Sequence, residues 1–429
     1  MGETKPFRVG QWLPSDQAFL ENWLDQLIQE VEATPKPLHP VIEEFKALIE
    51  SEAEIYMLFH QMFTQVPHKP PYDQDPTGKP QVRDYHRMLQ LINAILTKAP
   101  EFNELAFVVG LVGFPINAIF DWSMGTKSGF AAFLNDKINR QLKKILNEWA
   151  IFLSSKDSTY VLNTHPQTGW FGKNALQAMF PNCDNPRQKF EETFKCEPNK
   201  PHYGFSSWDD FFLREFKDGQ RPIAAPNDDN VIINACESAP YKLAYQVKRY
   251  DQFWIKAQPY SLEHMLANDP LVEKFVGGTI YQAFLSALSY HRWHSPVSGR
   301  VVKSYVQEGT YYSETLAEGF DRSGPNESQG YITEVATRAL IFIDADNPAI
   351  GLMCFMAVGM AEVSTCEITV YEGQQIKKGE QIGMFHFGGS THCLIFRPEV
   401  HLEFDLHGQK PGLDAQNIPI NSRIATISC

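Results

Sequence analysis

The stretch with the most evident chemistry is His386-Phe-Gly-Gly-Ser-Thr-His-Cys393, small and nucleophilic residues set between apolar flanks. Three readings compete for it. Gly388-Gly389-Ser390 can be a plain turn, for which all three residue types are suited. Gly388 to His392 also approximates the Gly-x-Ser-x-Gly of a hydrolase nucleophile elbow, with His392 in place of the last glycine. An elbow needs a helix after its serine, whereas Cys393-Leu-Ile-Phe396 reads as a strand. The third reading is self-cleavage. The Ser390 hydroxyl attacks the Gly389 carbonyl, since glycine leaves the approach open and tolerates strained backbone angles. An ester then replaces the amide, β-elimination gives dehydroalanine, and hydrolysis of its imine tautomer leaves a pyruvoyl group at the new N-terminus. The first step needs a base within reach of Ser390 Oγ and a group that orients that base.

Candidates for both roles are present. Tyr290-His-Arg-Trp-His-Ser-Pro-Val-Ser-Gly299 places His291 and His294 three apart, beside Arg292 and ahead of a Pro-turn-Gly. Histidine suits the task because its pKa lies near neutrality. Asn234-Ala-Cys-Glu-Ser238 puts the carboxylate of Glu237 directly after the apolar strand Val231 to Ile233. Alone, each would be ordinary: a lone histidine is more often structural, and a strand-end carboxylate is usually solvated. Asp344 and Asp346 read as a solvated turn, and no metal ligand is assigned.

The elements that must position these groups change character along the chain. Up to about residue 160 the apolar spacing is helical, with Val41, Phe45, Leu48 and Ile49 in one stripe and Leu134, Ile138, Leu142, Ile145 and Trp149 in another. The proline-rich segment 66–80 interrupts them as a loop, and the turn-rich stretch from Asp157 to Gly172 marks a boundary. Beyond residue 225, short β-prone runs separated by turn residues predict mostly antiparallel sheet: Val231–Ile233, Tyr241–Val247, Val297–Val306, Leu340–Ile343, Gly351–Val358 and Ser364–Val370. Gly373, Gly379 and Gly383 are expected where short strands turn tightly. The fold expected is α+β, with a helical domain over 1–160 and a β-rich domain over 161–429.

A chain of 429 residues has ample length for a buried core and two to three domains. With 43% hydrophobic and 21% charged residues it is globular in composition. Its net charge of −13 disfavours phosphate backbones and anionic lipid surfaces, leaving small molecules as partners rather than nucleic acid or membrane. The longest apolar run, 105–120, contains a proline, an asparagine and two glycines and falls short of the roughly 20 residues that span a bilayer. Met1-Gly-Glu-Thr-Lys-Pro has no apolar stretch of a secretory signal. Seven scattered cysteines without a Cys-x-x-Cys pair suit a reducing compartment, so a cytoplasmic location is expected.

Taken together, the three segments resemble the phosphatidylserine decarboxylase family of pyruvoyl enzymes. Tyr290 to Pro296 is similar to that family's Tyr-His-Arg-x-His-x-Pro motif, and Phe387-Gly-Gly-Ser-Thr391 to its late Gly-Ser-Thr cleavage motif with an additional glycine. Further similarity lies in Trp208 to Phe216 with Arg221-Pro222, in Lys256 with Tyr260-Ser-Leu262, and in Val358-Gly359. Two departures stand out: Glu237 occupies the place of the family's Asp, and Ala336-Thr-Arg338 replaces Asn-Glu-Arg. The form of these motifs looks most like a soluble fungal branch. The resemblance implies autocatalytic scission between Gly389 and Ser390, with two associated fragments and a covalent pyruvoyl cofactor derived from Ser390. It implies His294 as the base acting on Ser390, Glu237 as its orienting acid, and His291 as an assistant or later proton donor. It further implies decarboxylation of a free aromatic L-amino acid, L-tryptophan to tryptamine and CO₂, through a Schiff base. Phe211, Phe212, Trp254, Trp293 and Phe387 flank the motifs and could serve an apolar pocket or simply the core. Other outcomes stay open at this level: a lipid-acting phosphatidylserine decarboxylase making phosphatidylethanolamine, a serine hydrolase, or an uncleaved β-barrel interaction module.

Overall fold

The computed structural model describes residues 17–66, 82–102, 115–181, 183–251, 260–286, 288–316, 328–363, 365–387 and 390–428. By compactness the chain falls into two units. One holds the described residues of 1–187, 196–211 and 310–329; the other holds those of 188–195, 212–309 and 330–429.

The first unit is helical: α1 Gln17–Ala33, α2 Pro40–Ser51, α3 Ala53–Gln65, α4 Tyr85–Ile95, α5 Pro115–Met124, α6 Lys127–Leu134 and α7 Asp136–Leu153. Pro40 opens α2 at the position where a missing N–H costs nothing, and the His39 ring accepts from Val41 N. Asn135 starts α7 by accepting from Lys137 N and Ile138 N. The two apolar stripes face inward, α2 burying Val41, Ile42, Phe45 and Ile49, and α7 burying Ile138, Leu142, Ile145 and Trp149. The turn-rich segment after α7 belongs to this unit, because Ser158 Oγ donates to Leu153 O at 2.9 Å and accepts from Trp208 N at 2.8 Å. Residues 103–114 of the apolar run and 67–80 of the proline-rich segment lie outside the described residues. Among the described residues no helix is long and apolar enough to cross a membrane.

The second unit is built from thirteen strands among its described residues: β1 Val231–Ile233, β2 Ala239–Ala244, β3 Thr279–Leu285, β4 Arg292–His294, β5 Gly299–Gln307, β6 Arg338–Ala345, β7 Leu352–Val358, β8 Thr365–Ile368, β9 Gln375–Ile376, β10 Gln381–His386, β11 Ser390–Phe396, β12 Leu402–Phe404 and β13 Arg423–Ile427. Seven of them form one sheet in the order β2-β3-β11-β7-β6-β5-β9, and two three-stranded sheets run β4-β10-β8 and β1-β13-β12. Every pairing is antiparallel. The chain is therefore α+β, helical first and mostly antiparallel β after. Central strands β6 and β7 bury Ile341, Phe342, Ile343, Phe355, Met356 and Ala357 completely, so they read as unbroken apolar runs rather than alternating ones.

The sheet β4-β10-β8 contributes Trp293 and Phe385 to a shared aromatic layer with the large sheet. The Trp293 ring lies 5.5 Å from that of Phe355 in β7 and 4.7 Å from that of Phe385. Gly373 and Gly379 have positive φ, as tight turns require. Gly383 serves a different purpose from the turn expected of it: it sits within β10, where a Cβ would come within 2.4 Å of Trp293 Cε3.

Candidate active site

Ser390 is the first residue of β11, and β11 is held on both sides, with Ser390 opposite Leu285 of β3 and Thr391 opposite both Phe284 and Val358 of β7. The preceding strand, β10, belongs to a different sheet. β10 and β11 are therefore not paired with each other. A strand, running to Phe396, follows the serine, which is incompatible with a hydrolase elbow. Phe387 is buried with φ 62°, a left-handed conformation that costs an aromatic residue about 1–2 kcal/mol, immediately before the glycine pair. Gly388 and Gly389 and the side chain of Ser390 lie outside what is described. Thr391 anchors the start of β11: its Oγ1 donates to Ala283 O and accepts from Gln282 Nε2, both at 3.0 Å, and Gln282 Oε1 accepts from the Tyr260 hydroxyl.

His294 lies in β4, and its backbone N donates to Ala235 O at 2.8 Å. Its ring is gripped at both nitrogens. Nδ1 is 3.2 Å from Asn421 Oδ1, and Nε2 is 3.1 Å from the Tyr290 hydroxyl. Asn421 Nδ2 donates to Arg221 O at 2.9 Å, which orients its amide and leaves Oδ1 as an acceptor. His294 must then carry its proton on Nδ1 and present a lone pair at Nε2. Burial pushes its pKa down to about 4; the Asn421 hydrogen bond opposes that shift and Arg292 adds to it. Burial likewise raises the pKa of Tyr290, so the phenol stays protonated and donates to Nε2.

Glu237 stands close in the chain to Ala235 but does not hydrogen-bond His294. Its carboxylate takes a two-pronged grip from Arg221, with Nε at 3.0 and 3.1 Å and Nη2 at 2.6 Å, and accepts from Ile420 N at 2.9 Å. A fork of this kind matches carboxylate geometry. The acid thus acts at one remove: Glu237 holds Arg221 and the backbone of Ile420, and the Arg221 carbonyl and the adjoining Asn421 hold the imidazole. His291 is fully buried, with its ring stacked on Phe212 at 4.0 Å, and its backbone O accepts from Phe385 N at 2.9 Å.

The segment 212–216 and Arg292 explain why the histidine motif keeps its place. Arg214 Nη2 donates to Leu288 O (2.6 Å) and Ser289 O (3.2 Å), and its guanidinium lies over Phe194 at 4.7 Å. Arg292 Nε donates to Leu213 O at 2.8 Å and Nη1 to Gln381 Oε1 at 3.0 Å. Arg338, in the segment that departs from the family motif, donates to Met265 O, Ala336 O and His264 O, so it ties loops together. Of the flanking aromatics, Phe212, Trp293 and Phe387 are buried core of the second unit, and Phe211 is buried in the first. Lys256 and Trp254 lie outside the described residues. Asn421 is the functional candidate that sequence reasoning missed. A single asparagine in Pro419-Ile-Asn-Ser422 carries no motif, and only its φ of 67° marks it, a conformation asparagine accepts more readily than most residues.

Comparison with known proteins bears on the same residues. Two family models, both described as phosphatidylserine decarboxylase, match residues 39–179 and 208–413. Decarboxylase iboD of Amanita muscaria is 43% identical over 335 residues, which is 73% of this chain and 94% of the relative. L-tryptophan decarboxylase of Psilocybe cubensis is 36% identical over 425 residues, 95% of this chain and 92% of the relative. The enzyme of the same name from Psilocybe cyanescens is 37% identical over 440 residues, 98% and 95% of the two chains.

Proposed function

The chain belongs to the phosphatidylserine decarboxylase family, and from that premise we propose that it is a precursor that cuts itself between Gly389 and Ser390 and then decarboxylates a free aromatic L-amino acid, L-tryptophan to tryptamine and CO₂. The observation that carries the reading is the imidazole of His294, oriented by Asn421 and held neutral by burial, so that Nε2 keeps its lone pair. Such a group can take the Ser390 proton as the hydroxyl attacks Gly389. Because Tyr290 already donates to Nε2, that proton reaches the imidazole either where Tyr290 turns aside or through the phenol itself. The buried Phe387 left-handed turn adds strain beside the bond to be broken.

The residues present fit a pyruvoyl group at position 390. Scission divides the 429 residues into 389 and 40. The shorter piece stays in place because β11 is bonded between β3 and β7 while β13 lies between β1 and β12. Residue 390 therefore keeps its register opposite Leu285 after the cut. The group supplies an electrophilic carbonyl for the substrate amine and a sink for the electron pair left by CO₂. His294, and His291 behind Phe212, are the titratable residues assigned to move protons there, and Glu237 maintains the Arg221–Asn421 scaffold behind His294.

A free amino acid is favoured over a lipid by the net charge of −13 and by the names of the two Psilocybe relatives. The scattered cysteines suit a cytoplasmic setting. Intact-mass spectrometry tests the whole reading. It should find two chains, the shorter with a blocked N-terminus that has lost ammonia relative to serine, and Ser390→Ala should stay uncut. The mature protein should release CO₂ from tryptophan without lipid. A single full-length mass accompanied by activity refutes the cleavage, and turnover of phosphatidylserine alone refutes the substrate.

A further inference from the structure

Three side chains in the aromatic layer of the second unit carry polar atoms that the fold hides from water and leaves without a hydrogen-bond partner: both ring nitrogens of His392, the hydroxyl of Tyr281 and Nε1 of Trp293. All three residues are fully buried. Each such group costs about 1–3 kcal/mol relative to a satisfied or apolar one, so a layer built only for stability would carry Leu or Phe at these positions. They are also neighbours. The His392 ring stands 6.0 Å from Tyr281, edge to face, and 5.9 Å from Phe355, which in turn is 5.5 Å from Trp293.

Their place in the fold ties them to the scissile bond. His392 follows residue 390 by two positions in β11, at the same parity of the strand alternation and about 6.7 Å along it at the usual rise. Register places Ala283 and Ala357 opposite His392 on the flanking strands, so small residues border the imidazole on both sides.

We propose that His392 sets side-chain specificity, accepting a hydrogen bond from the ring N–H of an aromatic amino acid whose ring enters beside Phe355 and Tyr281. The inference rests on the reading of the chain as a free aromatic amino-acid decarboxylase. Burial pushes the His392 pKa down to about 3, so its imidazole is neutral at physiological pH and offers a lone pair. It is an acceptor there and has no proton to give Cα, which separates its role from that of His294. A substrate with a ring N–H would satisfy a nitrogen that the protein leaves bare, and one without it would leave the penalty in place. This asymmetry makes polar pockets discriminating.

The test compares kcat/KM for L-tryptophan, 1-methyl-L-tryptophan and L-phenylalanine in the mature wild type, His392→Phe and His392→Gln. The wild type should prefer tryptophan over its 1-methyl analogue by about 10-fold or more. His392→Phe should lose about 10- to 100-fold on tryptophan and little on phenylalanine, while still cutting itself; His392→Gln, which keeps an acceptor, should retain part of the preference. An unchanged tryptophan-to-phenylalanine ratio in His392→Phe overturns the proposal, as does a wild type indifferent to the methyl group. The second comparison needs no variant and decides the matter even where His392→Phe does not fold. Wild-type turnover of aromatic amino acids together with an unchanged ratio in His392→Phe sinks only this inference. Absence of any such turnover sinks the substrate reading beneath it as well.

Discussion

Replacing Asn421 by glycine isolates what orients the base. Asn421→Gly keeps the left-handed φ of 67° without strain and leaves the backbone bonds to Asn234 O and from Ala224 N intact. It removes only the amide that accepts from His294 Nδ1 at 3.2 Å and donates to Arg221 O at 2.9 Å. While the imidazole is neutral, that hydrogen bond is worth about 1 kcal/mol; once the ring has taken a proton, a bond to the cation is worth about 1.5–3 kcal/mol. The difference, about 0.5–2 kcal/mol, is lost from the transition state for self-cleavage, which corresponds to scission slowed about 2- to 30-fold. The assay is the decay of the 429-residue precursor into 389 and 40 residues after synthesis, followed by intact mass. Glu237→Gln is the comparison, since it weakens the fork with Arg221, one step removed from the amide that meets the imidazole. Scission within twofold of wild type in Asn421→Gly, or a larger loss in Glu237→Gln at equal folded fraction, would refute the assignment and return the orienting role to Glu237.

Two further outcomes are expected. His392 has a folded-state pKa depressed to about 3 from the ordinary 6.5, so below pH 6.5 the unfolded chain binds a proton that the folded one does not, and stability falls as pH falls. Between pH 7 and pH 5 the wild type should lose about 2 kcal/mol more stability than His392→Phe, measured by denaturant unfolding at the two pH values; equal losses would show that the imidazole is not held neutral. Gly383→Ala places a Cβ 2.4 Å from Trp293 Cε3 and 2.4 Å from Glu367 O, and should lower stability by about 1–3 kcal/mol or more, seen as a lower melting temperature. An unchanged melting temperature would mean that Trp293 is free to move off β10.

Much of the fold was legible because the signals were local. The stripes on α2 and α7 are single-helix periodicities, and β6 and β7 announce themselves as apolar runs because central strands are covered on both faces. β3 was not legible. Its Thr279-Ile-Tyr-Gln-Ala-Phe-Leu mixes Gln282 into an apolar run, and only the tertiary bonds of Gln282 to Tyr260 and Thr391 explain a glutamine there. β4, three residues long, is too short to have a period.

At the site, residue types and spacing by themselves determined that Ser390 follows two glycines, that a strand and not a helix comes after it, and that two histidines three apart are near a β run. Those facts follow from the chemistry of single residues and from neighbours along the chain. Which carboxylate or amide faces His294 was decided only by the tertiary structure. Glu237 is drawn to the stronger fork of Arg221, and Asn421, 127 residues beyond His294, takes the imidazole instead. The same holds for His392, Tyr281 and Trp293, whose unsatisfied polar atoms meet because three strands distant in sequence share one layer. Hydrogen-bond partners are chosen by geometry and desolvation once the chain is packed, and neither is written in the spacing of residues.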